Sequence, residues 1–136
     1  MIYTLDSNVC INCMRKKGNA LVKQRFAAQS STDLVLCSVV EGELLFGAET
    51  SAHPAMTKAT VAAFTGRFIT IVPYDSGSAV EYAWIRSHLK RIGLPIGPYD
   101  MMIAAIAIQH DLTLVTHNTS EFSRVPGLKL VDWEVP

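Results

Sequence analysis

The sequence has little of what would tie it to a membrane, a disulfide scaffold or a strongly cationic surface. No apolar run approaches the roughly 18 to 20 residues that span a bilayer. The first residues carry no cationic leader followed by an apolar stretch and a small-residue cleavage site, so a cytoplasmic protein is expected. Three cysteines, an odd number, argue against a disulfide framework and agree with a reducing compartment. Twelve Lys and Arg balance twelve Asp and Glu, which leaves no global electrostatic footprint for nucleic acid. A polyanion would have to be met by a local basic patch or by bound cations. Linkers, repeats and low-complexity segments are also missing, and a single domain over residues 1–136 is expected.

What is present is an alternation. Five short β-like stretches, Ile2–Leu5, Asp33–Leu36, Phe68–Val72, Leu112–Val115 and Leu128–Val131, are separated by helical ones. Ser7 reads as the N-cap of a helix that runs to about Lys17 and stops at Gly18, and Asn19 as the cap of one over Ala20–Gln29. Ser38 begins a helix through Glu49, whose Val39, Val40, Leu44, Leu45 and Ala48 recur at helical spacing. Pro54 opens a helix to Arg67, Asp75 or Ser76 caps a long one ended by Gly93, and Pro98 opens one ending near His110. This pattern predicts a mainly parallel sheet covered on both faces, with functional groups outside the carboxyl ends of its strands.

Oxygen-bearing side chains gather at that rim. Asp6 leaves the first strand, Glu43 lies in the first turns of the helix after the second, and Asp100 stands in the first turn of "GPYDMMIAAIAIQ". Ala104 and Ala107 let that helix approach the sheet, and Gly47 is expected to permit close packing beyond Glu43. Thr116, Asn118 and Glu121 leave the fourth strand. Each has an ordinary structural reading: a helix cap for Asp6, a dipole partner for Glu43 and Asp100, turn residues for Asn118 and Glu121. Together they are more specific. Two carboxylates about 4 Å apart repel by roughly 4 kcal/mol at an effective dielectric near 20, so a cluster needs a hard cation or protonation. An all-oxygen set suits Mg²⁺ or Mn²⁺ rather than zinc.

The stretches "YTLDSNVCI", "SVVEGELLFGAE", "IGPYDMMIAAIA" and "LVTHNTSEFSRVPGLKLVDW" are spread along the chain from Tyr3 to Trp133. In this order they resemble the PIN-domain family and, within it, the VapC toxins of bacterial toxin–antitoxin pairs. The resemblance implies a three-layer α/β/α fold with a parallel five-stranded sheet of order 3-2-1-4-5. It further implies a Mg²⁺- or Mn²⁺-dependent endoribonuclease and a homodimer whose site is occluded by a VapB-like antitoxin. A tRNA substrate, cut in the anticodon loop and with initiator tRNA favoured, is implied by the "GPYDMMIAA" and "RVPGL" versions of the motifs, with ribosomal RNA as the alternative. The family's acidic set falls on Asp6, Glu43 and Asp100, and its fourth position on Asn118, where many PIN domains carry Asp, with Glu121 nearby. The resemblance assigns the cation to Asp6 and Asp100, a water-holding or general-base role to Glu43, and completion of the shell to Asn118 or Glu121. Ser7 or Thr116 is a candidate donor to a phosphate oxygen, and Arg86 and Lys90, one turn apart, are candidate phosphate grips, as are Arg15, Lys16 and Lys17.

Other constellations are weaker. Cys10-x-x-Cys13 lies several residues inside its helix, where two thiols at i, i+3 pack as small apolar groups rather than acting as a redox pair. Structural zinc needs a second cysteine pair, and only Cys37 remains. A phosphatase-like D-x-D loop lacks its second acid at Asn8, and a receiver domain lacks its acceptor Asp directly after the third strand. His117 reads as an exposed loop histidine. A catalytically inactive PIN-like domain that only binds RNA or protein is the alternative function.

Overall fold

The computed structural model describes all 136 residues. Its sheet has five strands: β1 (Tyr3–Leu5), β2 (Leu34–Cys37), β3 (Ile71–Val72), β4 (Thr113–Val115) and β5 (Lys129–Val131). The order is β3-β2-β1-β4-β5 and every pairing is parallel. Parallel strands need crossovers, and the helices supply them: α1 (Ser7–Met14), α2 (Ala20–Ala27), α3 (Ser38–Glu49), α4 (Pro54–Thr65), α5 (Ser76–Ile92), α6 (Pro98–Gln109) and α7 (Thr119–Phe122). Leu5, Leu36, Leu114 and Val115 are fully buried, as a strand covered on both faces requires. In α6, Ala104, Ala105 and Ala107 are also fully buried, so small side chains bring this helix close to its neighbours.

Local chemistry sets the element ends. Asp6, rather than Ser7, is the N-cap of α1: its Oδ1 accepts the Val9 N–H at 2.9 Å. α1 stops at Met14, three residues before the expected Lys17. The chain then turns so tightly that a Cβ on Gly18 would lie 1.9 Å from the Asn12 carbonyl oxygen. Asp75 and Ser78 form a capping box on α5, and Gly93, at φ 70°, ends that helix in the left-handed conformation. The third strand is two residues long rather than five, because Phe68 turns into an aromatic cluster with Phe64 and Phe26. Pro73, which has no N–H to donate, follows immediately.

Candidate active site

Asp6 sits at the carboxyl end of the central strand, held by its backbone N–H donating to Val115 O at 3.1 Å. The residue is 7% exposed. Oδ1 is taken by the cap bond to Val9, and Oδ2 accepts the Thr116 hydroxyl. Burial raises the Asp6 pKa; Thr116 and the Val9 and Asn8 amides pull it down, and the charge of Glu134 adds to the rise.

Glu43 reaches the same rim from the second turn of α3, where the Ser7 hydroxyl donates to its Oε1 at 2.9 Å. Glu43 divides two open grooves. One, about 550 Å³, runs between α1, α3 and α4 and includes Ser7, Arg15 and Thr60. The other, about 620 Å³, runs between α3 and α6 past Phe46, Tyr99 and Met102. Gly47 lines the first groove and has nothing within 4 Å of the position of a Cβ, so the close packing expected there is absent.

Asp100 enters from the first turn of α6. Its carboxylate turns back towards the cap, where a Cβ on Gly97 would stand 3.4 Å from Oδ2. Its pKa is raised to about 6, first by burial and then by the charges of Glu43, Glu121 and Asp6. These causes identify the company it keeps: acids from three other segments of the chain. Asn118 donates through Nδ2 to Glu121 Oε2 at 3.0 Å, which leaves its amide oxygen free, and its N–H donates to Thr116 Oγ1 at 3.0 Å.

Two expected substrate contacts are differently employed. Thr116 is fully buried, donates to Asp6 and accepts from Asn118, so it stands behind the acid and cannot offer its proton to a phosphate. Ser7 spends its proton on Glu43. Arg86 and Lys90 line a third groove, about 510 Å³, with Pro98 and Met101 on either side of Asp100 in sequence. Arg15 shares its groove with Glu43 itself. The cysteines are free, and burial pushes the Cys13 and Cys37 thiols up to about 11, which suits packing and not redox work.

The donor set fits a hard divalent cation. It is all oxygen, carries net negative charge, and contains one carboxylate, Asp100, that is partly desolvated among other acids. No three of these acids bring ligand atoms within 4.8 Å of one another; the one trio that does is His117, Asp132 and Glu134. Mg²⁺ commonly keeps several waters between itself and protein, which suits the wider spacing of these acids.

The PIN domain model matches residues 3–128. The chain belongs to the PIN-domain family, among its VapC ribonucleases. It is 40% identical over 131 residues to the tRNA(fMet)-specific endonuclease VapC of Shigella flexneri, and 37% identical to that of Salmonella typhimurium, covering 96% of this chain and 97% of each relative. The crystal structure of DNA-bound VapBC from Salmonella typhimurium superposes with a TM-score of 0.89 at 36% identity, over 98% of both chains. This PIN fold therefore carries the sheet order expected from the sequence.

Sequence reasoning missed Glu134. It lies beyond β5, and its charge acts on Asp6 because β4 and β5 continue the sheet beside β1. Trp133, 4% exposed and edge-on to Tyr3 at 5.4 Å, anchors that segment; a buried Trp after the last strand was the available signal.

Proposed function

We propose that residues 1–136 act as one PIN domain, a divalent-cation-dependent endoribonuclease and the toxin of a VapBC-type pair. The observation that carries this reading is the convergence of Asp6, Glu43, Asp100 and Glu121 from four separate segments of the chain on one rim of the sheet. The names of the Shigella and Salmonella relatives support initiator tRNA as the substrate. Solved VapBC complexes from Salmonella typhimurium and Rickettsia felis support a VapB-like antitoxin as the partner, its tail covering the acidic pocket. A homodimer in the cytoplasm completes the proposal; no helix is long and apolar enough to cross a membrane.

Asp6 and Asp100 are assigned the cation, Mg²⁺ or Mn²⁺, with Glu43 and the Asn118 amide oxygen or Glu121 filling the remaining positions. When bound, the ion supplies Lewis acidity: it lowers the pKa of water and offsets charge on the phosphate. Ser7 fixes Glu43 through Oε1, which leaves Oε2 to accept a proton from the attacking water. Thr116 orients Asp6 and favours its ionised form against the effect of burial. Arg15, Arg86 and Lys90, on the grooves either side, are assigned the flanking phosphates. Water attack needs no ribose 2′-hydroxyl, so the products are a 5′-phosphate and a 3′-hydroxyl.

The test is cleavage of initiator tRNA by the purified chain with Mg²⁺, with EDTA, and by Asp100→Asn. EDTA abolishes cleavage, and the variant loses on the order of 100-fold or more. Full cleavage in EDTA would falsify the mechanism. The alternative, an inactive PIN-like binding module, draws on Asn118, whose amide adds an oxygen but no charge. It predicts RNA or protein binding with no cleavage at any Mg²⁺ or Mn²⁺ concentration.

A further inference from the structure

We infer that His117, Asp132 and Glu134 form a second cation site, which takes a transition-metal ion through one nitrogen and two carboxylate oxygens, zinc being the best match. Their ligand atoms all lie within 4.8 Å of one another. His117 Nδ1 is 2.9 Å from Asp132 Oδ2 and 3.1 Å from Glu134 Oε2. Ligands bound tetrahedrally at zinc distances stand roughly 3.3 Å apart, so the two nitrogen–oxygen separations need to change by only a few tenths of an ångström.

The carboxylates are held from behind. Asp132 Oδ1 accepts the Glu134 N–H at 2.9 Å, and Glu134 Oε1 accepts Asn19 Nδ2 at 3.3 Å. Each acid thus spends one oxygen on orientation and turns the other to the imidazole, as outer partners do in metal sites. Trp133 between them is buried, which fixes the backbone.

The charge is under-compensated. Asp132 and Glu134 side chains are only 15% and 26% exposed, and a single imidazole is their counter-group. The Arg25 guanidinium donates to the Asp132 backbone oxygen at 3.3 Å and not to its carboxylate. The His117 side chain is 67% exposed, so the open positions face water and an ion has an entry path. A nitrogen donor separates this trio from the all-oxygen catalytic set and favours zinc over Mg²⁺. On binding, the ion replaces the Nδ1 proton, which leaves to solvent.

The test is calorimetric titration of Zn²⁺ into the full chain in excess Mg²⁺, with imidazole NMR of His117 alongside. Wild type binds zinc and the His117 ring resonances shift. His117→Gln and Glu134→Gln each weaken binding at least tenfold, while Asp100→Asn does not. Glu134→Gln keeps the hydrogen bond from Asn19, so it decides the matter if the histidine variant misfolds. Zinc affinity unchanged in Glu134→Gln, or an unmoved His117 ring at saturating zinc, overturns the site. Equal losses in Asp100→Asn and Glu134→Gln overturn it too, because the zinc would then be in the catalytic pocket.

Discussion

At the scale of single residues, Asp6 does two jobs that look like alternatives in the sequence. One oxygen caps α1 and the other is held by Thr116 for the pocket. Thr116→Val keeps the shape and removes the hydroxyl, which leaves a buried carboxylate oxygen of Asp6 and the Asn118 N–H unpaired. Chemical denaturation in EDTA is expected to show a loss of about 1–3 kcal/mol. Asp100 sets the pH response. Its pKa is raised from 3.8 to about 6, so between those values the folded chain binds more protons at this group than the unfolded one. Its contribution to metal-free stability therefore falls as pH rises through that window and is level above it. The group is partly solvated, so the change is on the order of 1 kcal/mol after screening. Denaturation curves in EDTA at pH 4 and pH 7 should show this slope in wild type and lose it in Asp100→Asn. Cation affinity runs the other way and rises as Asp100 ionises.

At the scale of elements, α6 is the part on which the pocket depends, because its buried alanines bring Asp100 to the rim. Ala104→Leu overpacks a fully buried position and is expected to cost about 1–3 kcal/mol, read as a lower midpoint in urea. Displacing α6 also loosens Asp100, so cation affinity falls with stability. The helix periods were legible: α3 occupies Ser38–Glu49 as read, and Pro98 opens α6. Strand lengths were less legible. A run such as Phe68–Val72 looks like a strand, and nothing local reveals that Phe68 belongs to an aromatic cluster with Phe26, far away in sequence. α7 was not foreseen, since four residues carry no period.

At the scale of the whole molecule, parallel topology turns distant sequence positions into neighbours. The gathering of Asp6, Glu43 and Asp100 on one rim was legible, because Asp6 follows a strand and the other two lie in the opening turns of helices. The influence of the Glu134 charge on Asp6 was not, because it depends on β5 lying two strands from β1, which only the assembled sheet displays. The roles of Ser7 and Thr116 escaped as well: a hydroxyl beside an acid reads equally as a substrate contact or a prop, and hydrogen bonding decides. Cation binding should also be seen globally. An ion that binds only the folded chain raises its melting temperature as concentration increases, so Mn²⁺ is expected to stabilise wild type and leave the Asp6→Asn, Asp100→Asn double variant nearly unmoved in the pocket's contribution.

The account turns on whether these separated oxygens meet at an ion, and anomalous diffraction from crystals grown with Mn²⁺ locates that ion directly. An anomalous peak within about 2.3 Å of carboxylate oxygens of both Asp6 and Asp100, with Glu43 bound directly or through water, is the predicted result. Saturating Mn²⁺ with no peak between Asp6 and Asp100 would contradict it.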